Sequence, residues 1–282
     1  MGANTKEMIR KYNLRLTKSL GQNFLIDDNV VKRIVEAAGI TDNDLVIEIG
    51  PGVGSMTVEL AQRAGKVIAV EIDKRLIPAL KENLSAFSNV EIINKDIMDV
   101  NIDELSGGRQ FGNIKVVANL PYYITTPIIM KLLEEKNDIN FMIFMVQKEV
   151  AQRMVAAPGK KDYGALSVAV QYYTKPEKAF DVPPHCFIPQ PEVDSTVIKL
   201  NVNETPPVKL MDKDFFFTVV KAAFGQRRKT LVNALYNFKG LQKTKEEIKE
   251  ILNQLGIDEN ARGETLSILQ FAELSNLLFK SI

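Results

Sequence analysis

The stretch LVIEIGPGVG, residues 45–54, decides the fold. Its opening residues form a short apolar run bounded by glycine, the mark of a strand buried on both faces. Gly50, Gly52 and Gly54 allow a tight turn and let a ligand reach the backbone, and the helix SMTVELAQRAG then presents free N–H groups. Glu71 closes the next strand, VIAVEI, 21 residues after Gly50; a carboxylate there accepts hydrogen bonds from a ribose diol. Asp96 closes a third strand, where a side chain can meet the exocyclic amine of an adenine. Ligands of such sheets bind beyond the carboxyl ends of the strands, and all three positions fall there. Two cofactors fit this frame, a dinucleotide and S-adenosylmethionine (SAM). The spacing G-x-G-x-G departs from the dinucleotide pattern G-x-G-x-x-G because position 55 is Ser. Glu48 also suits a cofactor with an amino-acid part, whose ammonium needs acidic or carbonyl partners.

On either side of this turn the chain alternates strands and helices. VVKRIVEAAG precedes it, and KVIAVEI, KRLIPALKENL, VEIINKD, IKVVANLPYY, TPIIMKLLEE, INFMIFMVQ and KEVAQRMVAA follow. Strands separated by helices of this length imply βαβ units and a parallel sheet covered on both faces. GALSVAVQYY (164–173) and STVIKLNV (195–202) read as an antiparallel pair at one sheet edge. Eight of the 12 prolines lie between Pro158 and Pro207, and beyond them the sequence reads as helical. In that tail Thr244 with Glu247 is a capping-box signature. The expected architecture is α/β, with residues 1–207 as one domain and 208–282 as a small all-helical second.

Asn119-Leu120-Pro121-Tyr122 follows the fourth strand, again at its carboxyl end. The N6 of adenine has its lone pair drawn into the ring. It needs acceptors that hold its two hydrogens and favour a pyramidal nitrogen, which the Asn119 side-chain carbonyl and the Leu120 backbone carbonyl can supply. Pro121 has no N–H to compete. Tyr122 can stack on an extruded base. Catalysis by such a group rests on positioning and needs no nucleophilic side chain.

These motifs together resemble the small-subunit ribosomal RNA adenine-N6,N6-dimethyltransferases of the KsgA type, which use a Rossmann-like seven-stranded SAM-dependent methyltransferase fold. The resemblance runs through nearly the whole chain. It includes Lys18-Ser-Leu-Gly-Gln22-Asn23-Phe24-Leu25, the glycine turn, N-L-P-Y, Gln147-Lys-Glu-Val-Ala-Gln-Arg153, Tyr163-Gly-Ala-Leu-Ser167, Phe187-Ile-Pro-Gln-Pro-Glu-Val-Asp-Ser195 and Phe224-Gly-Gln-Arg-Arg-Lys-Thr-Leu231. It implies that Asn23 and Leu25 contact SAM, with Gln22 a neighbour, and that Gly50 lies against the methionine part. Glu71 would hold the ribose, Asp96 the adenine amine, and Ile72 and Ile97 the two faces of the adenine. Asn119 would serve both cofactor and target nitrogen, and Phe187 would be a second base-stacking aromatic opposite Tyr122. The implied reaction is four methyl transfers to two adjacent adenosines near the 3′ end of 16S rRNA, late in assembly of the 30S subunit. A macrolide-resistance enzyme acting on large-subunit rRNA, a non-catalytic assembly or transcription factor and a dinucleotide oxidoreductase are the competing readings.

Composition agrees with a globular chain, 45% hydrophobic and 25% charged. One Cys (Cys186) and one His (His185) cannot build a disulfide framework or a Cys/His zinc site within one chain. The expectation is a cytoplasmic monomer with neither a bound metal nor a membrane segment. Bulk charge is balanced, 36 basic against 35 acidic residues, but unevenly spread. Residues 1–18 carry Lys6, Arg10, Lys11, Arg15 and Lys18 against Glu7, a net +4; residues 208–282 carry +3 and the middle −6. Lys221, Arg227, Arg228 and Lys229 cluster around Phe224 and are the candidate RNA contacts.

Overall fold

An apolar run buries itself on both faces, and in β2 (Asp44–Ile49) every residue is buried. The computed structural model describes residues 5–14, 21–106, 111–135, 138–241 and 243–280. Arg15 and Lys18 of the basic arm, with Ser19 and Leu20 of the first motif, lie outside the described residues. β2 runs parallel to β3 (Lys66–Glu71) on one side and to β5 (Asn113–Asn119) on the other. β4 (Val90–Asn94) continues the sheet beyond β3, and β6 (Ile139–Gln147) beyond β5, both in parallel pairing. β9 (Ser195–Val202) is antiparallel to β6, and β7 (Thr174–Val182) forms the edge, in the order β4-β3-β2-β5-β6-β9-β7. The order reverses between β2 and β5, so a crevice opens beyond their carboxyl ends, where ligands of open α/β sheets bind. A separate ribbon pairs β1 (Phe24–Leu25) antiparallel with β8 (Phe187–Ile188).

The first seven α-helices of the chain are α1 (Thr5–Lys11), α2 (Asp28–Ala38), α3 (Ser55–Ala61), α4 (Ile77–Asn83), α5 (Ile102–Ser106), α6 (Thr125–Glu134) and α7 (Lys148–Val155). Asp27 caps α2 by accepting the Asn29 and Val30 N–H groups, and Gly39, at φ 56°, ends it in the left-handed region that glycine tolerates.

Two compact units emerge: Met1–Ala151 with Lys175–Val202, and Gln152–Thr174 with Asn203–Ile282. The boundary expected at 207/208 therefore misses the first segment of the second unit. The cause is local. GALSVAVQYY is not a strand but α8 (Ala165–Tyr173), and Leu166 through Val170 and Tyr172 are all buried. A helix covered on most sides shows no polar face, so the helical period vanishes and the β-branched content misleads. The edge strand is β7, sequence TKPEKAFDV, whose charges and Pro176 suit an edge that must not pair further.

The second unit continues with α9 (Lys213–Gly225), α10 (Leu231–Tyr236), α11 (Lys245–Gln254) and α12 (Ile268–Lys280). Phe216, Val220, Leu231, Leu235, Leu252, Phe271 and Leu274 form its core together with Tyr163 and Val168. The Thr244–Glu247 capping box is present, each side chain bonded to the other's backbone N–H.

Candidate active site

Beyond the carboxyl ends of β2, β3 and β5 lies a cleft of about 900 Å³ of atom-free space, its open mouth included. Gln22, Asn23, Leu25, Gly50, Glu71, Ile72, Asn119, Leu120 and Tyr122, all singled out from sequence, line it. Gly50 sits at φ 68°, and a Cβ there would meet nothing within 4 Å, so its backbone is bare towards the space. Gly52, at φ 63°, is hemmed in by Phe24, whose ring would lie 3.0 Å from an added Cβ. An added side chain there would press on the Phe24 ring, which belongs to the segment that carries Asn23 and Leu25.

Glu71 is buried and accepts the N–H groups of Gly52 (3.1 Å) and Asp73 (2.8 Å). Burial pushes its carboxyl up to about 7 despite those bonds. Glu48, 1% exposed, also lines the cleft; burial pushes it up to about 8, and the neighbouring Glu71 adds to the rise. The Thr57 hydroxyl lies beside Glu48 and eases that rise, although neither Glu48 Oε2 nor Thr57 Oγ1 has a partner in full hydrogen-bond geometry. Ile72 remains 48% exposed at the rim, an apolar surface open to a planar ligand.

The N-L-P-Y segment is held from several sides. Asn119 Nδ2 donates to the Asn23 carbonyl (2.9 Å), which leaves Oδ1 as the acceptor of that amide. Leu120 N–H donates to the Met145 carbonyl (3.1 Å), fixing the peptide that follows β5. The Pro121 carbonyl accepts from Ile124 N–H (3.2 Å) and the Thr125 hydroxyl (2.9 Å), so the turn is tied to the start of α6. The Tyr122 hydroxyl bonds Ser195 Oγ at 2.8 Å, which orients the ring.

Three expected positions are placed differently. Phe187 is 1% exposed, packed with Leu25, Val31, Cys186 and Val197, and is not among the residues lining the cleft. Its strand β8 pairs with β1, Phe187 opposite Leu25, so it supports the segment that contacts the space. Asp96 and Ile97 do not line the cleft either: Asp96 Oδ1 caps a short turn by accepting Met98 N–H (2.9 Å), and Ile97 is buried. Of the basic cluster, Arg227 is committed within its own unit, donating to Glu264 (2.8 Å) and to the Tyr163 carbonyl (3.2 Å). Lys221, Arg228 and Lys229 are exposed and form no ion pair with a described residue.

Thr5 and Ser195 were not foreseen. Thr5 lines the cleft and donates to the Leu25 carbonyl (3.2 Å), and its helix buries Met8 against Phe24, Val53 and Leu76. Lys11 and Tyr12 bond Glu82 at the far end of that helix. The described part of the basic arm is thus a docked helix. Gln22 donates to Asp73 (3.0 Å), which Arg75 holds at about 2, well below the usual carboxylate range. Among the described residues no group of His, Cys, Asp or Glu is placed to hold a metal ion, and no helix is long and apolar enough to cross a membrane.

Residues 13–278 match the family described as ribosomal RNA adenine dimethylase. The chain is 53% identical to "Ribosomal RNA small subunit methyltransferase A" of Alkaliphilus oremlandii, covering 99% of this chain and 97% of the relative. Against the protein of the same name from Clostridioides difficile the identity is 54%, over 97% and 94%. Among solved structures it is similar to a dimethyladenosine transferase from Plasmodium falciparum, with TM-score 0.74, 28% identity and coverage of 88% and 94%. It is also similar to the 23S rRNA methyltransferase ErmE, with TM-score 0.68, 26% identity and coverage of 91% and 100%.

Proposed function

The chain belongs to the ribosomal RNA adenine dimethylase family, and we propose that it carries two adjacent adenosines near the 3′ end of 16S rRNA to N6,N6-dimethyladenosine. It is a SAM-dependent methyltransferase of small-subunit ribosomal RNA. Four transfers on a late 30S precursor, by a cytoplasmic monomer, complete the reading.

The residues present fit SAM. Bare backbone at Gly50, an exposed apolar face at Ile72 and a buried carboxyl oxygen of Glu48 without a partner suit, in turn, its amino-acid part, its adenine and its ammonium. Glu71, fixed by two backbone N–H groups, takes the ribose hydroxyls. Asn23 and Leu25 close the methionine side, with Gln22 beside them; Asp96 and Ile97, in the turn that follows β4, take the far edge of the adenine. When bound, SAM supplies an electrophilic methyl group. The chain's own residues do the rest by placement. Asn119 Oδ1 and the Leu120 carbonyl accept the two N6 hydrogens, which draws the nitrogen lone pair out of the ring and along the line of transfer. Tyr122 stacks on the extruded base, its ring held by Ser195, and Phe187 braces the segment opposite. Lys221, Arg228 and Lys229 contact rRNA phosphates.

The observation that carries this reading is the Asn119 amide, whose Nδ2 is committed to Asn23 and whose Oδ1 is left to accept. Asn119→Ala is expected to lower methyl transfer to under-methylated 30S particles by about 10²-fold or more, while SAM affinity by calorimetry falls far less. A variant that still dimethylates at the normal rate removes Asn119 from the reaction. Activity confined to naked 23S fragments would point instead to the large-subunit chemistry named for ErmE.

A further inference from the structure

Of the large apolar side chains left exposed among the described residues, two line the cleft, Ile72 and Tyr123. Ile72 is the surface offered to the cofactor's adenine. Tyr123, 57% exposed, lies on the side of the methyl acceptor, because it follows Tyr122 directly. Both tyrosines belong to the turn that the Pro121 carbonyl closes by accepting Ile124 N–H. A turn so short and so closed delivers two neighbouring aromatic rings to the cleft.

The two rings are anchored to different segments. Tyr122 is bonded through its hydroxyl to Ser195, the first residue of β9. Tyr123 rests against Gly21, ahead of β1: a Cβ on Gly21 would lie 3.0 Å from Tyr123 Cδ1 and 3.5 Å from its Cε1. Gly21 has φ 56°, so the residue that this backbone favours is also the one that leaves the ring its seat. The Tyr123 hydroxyl forms no hydrogen bond with a described residue. What Tyr123 presents is therefore the ring itself, seated on one side and open on the other.

Extruding a base strips its neighbour in the strand of a stacking partner. An aromatic side chain replaces that partner for any base, and favours a purine because the larger ring system overlaps more of it. The target base takes Tyr122. We propose that Tyr123 is the platform on which the nucleotide beside the target adenosine stacks, so that the enzyme grips two consecutive bases and prefers a purine as the neighbour. The inference rests on the cleft being the site of rRNA adenine methylation. It gives a physical reason for a pair of adjacent adenosines: whichever one is the target, the other is the purine beside it.

The substrates that test this are under-methylated 30S particles with both adenosines, and particles whose 16S rRNA has uridine in place of one of them. On the unaltered particles Tyr123→Leu and Tyr123→Ala are expected to lower kcat/KM about tenfold or more, while Tyr123→Phe stays within about twofold of the wild-type chain. SAM affinity by calorimetry should be unchanged in all three. The wild-type chain should methylate the remaining adenosine several-fold more slowly beside uridine than beside adenosine. In Tyr123→Leu and Tyr123→Ala that difference should vanish, which a general loosening of the fold would not bring about. Tyr123→Leu keeps an apolar contact with Gly21 and carries the test if Tyr123→Ala does not fold; the wild-type comparison of neighbours needs no variant. Equal wild-type rates beside uridine and adenosine, full kcat/KM in Tyr123→Ala, or a loss that follows SAM affinity would each overturn the inference and leave the methylation site as assigned. If the wild-type chain labels neither adenosine of the unaltered particles, the functional assignment falls and takes the inference with it.

Discussion

Glu48 and Glu71 hold their protons to about 8 and about 7 because the fold buries them. From pH 4.5 up to those values the folded chain binds protons that the unfolded chain has released, so its stability falls as pH rises. Asp44, lowered chiefly by its bonds to Lys115, Thr41 and Asn113 against the opposing effect of burial, and Asp73, held low by Arg75, behave in the opposite sense. Their stabilisation is complete above the ordinary carboxylate range and is lost only as pH drops through their lowered values. Between pH 5.5 and 8.5 they contribute a flat background. The ligand-free chain should therefore unfold at lower urea concentration at pH 8.5 than at pH 5.5. Glu48→Gln should remove a large part of that difference, roughly 3 kcal/mol between pH 5.5 and 8. Equal losses in both proteins would show that Glu48 is ionised in the free chain. Two acids left idle without ligand are a stability cost accepted at a binding site.

Phe187 shows what an element can do that a side chain in isolation does not reveal. Its two-residue strand β8 pins β1, and β1 with Asn23 builds one wall of the cleft. Phe187→Ala is expected to cost about 3–5 kcal/mol of stability by urea unfolding, the range of large-to-small core changes, and to weaken SAM binding along with it. Full stability with a loss confined to RNA turnover would restore Phe187 to a stacking role alone. The strands from β2 to β6 were legible because parallel strands are continuous apolar runs, and Gly50, Glu71 and Asn119 because they sit at strand ends marked by turn chemistry. α8 was not, since burial on most sides erased its period. Neither were Thr5 and Ser195. Their partners Leu25 and Tyr122 are 20 and 73 residues away, and nothing local in the sequence announces such a meeting.

Along the chain, charge that sums to +1 divides into +4, −6 and +3. The structure narrows which of those charges can face a polyanion. Lys11 is paired with Glu82 in a docked helix, and Arg227 with Glu264. Lys221, Arg228 and Lys229 are left exposed on the helical unit. If these three carry the RNA contact, affinity for 30S particles falls as salt rises, and each change to Ala lowers the slope of log K against log salt by about 1. Arg227→Ala should instead loosen the helical unit, read as a lower unfolding midpoint. A salt-independent affinity would require a different docking surface.

All of these effects converge on one reaction at one pair of bases. Under-methylated 30S subunits, incubated with the chain and tritium-labelled SAM, give the site of modification when the label is mapped along the rRNA. The expected result is label on N6 of two adjacent adenosines near the 3′ end of 16S rRNA, up to four methyl groups per particle, and almost none with Asn119→Ala. Label elsewhere, or full labelling by Asn119→Ala, would contradict it.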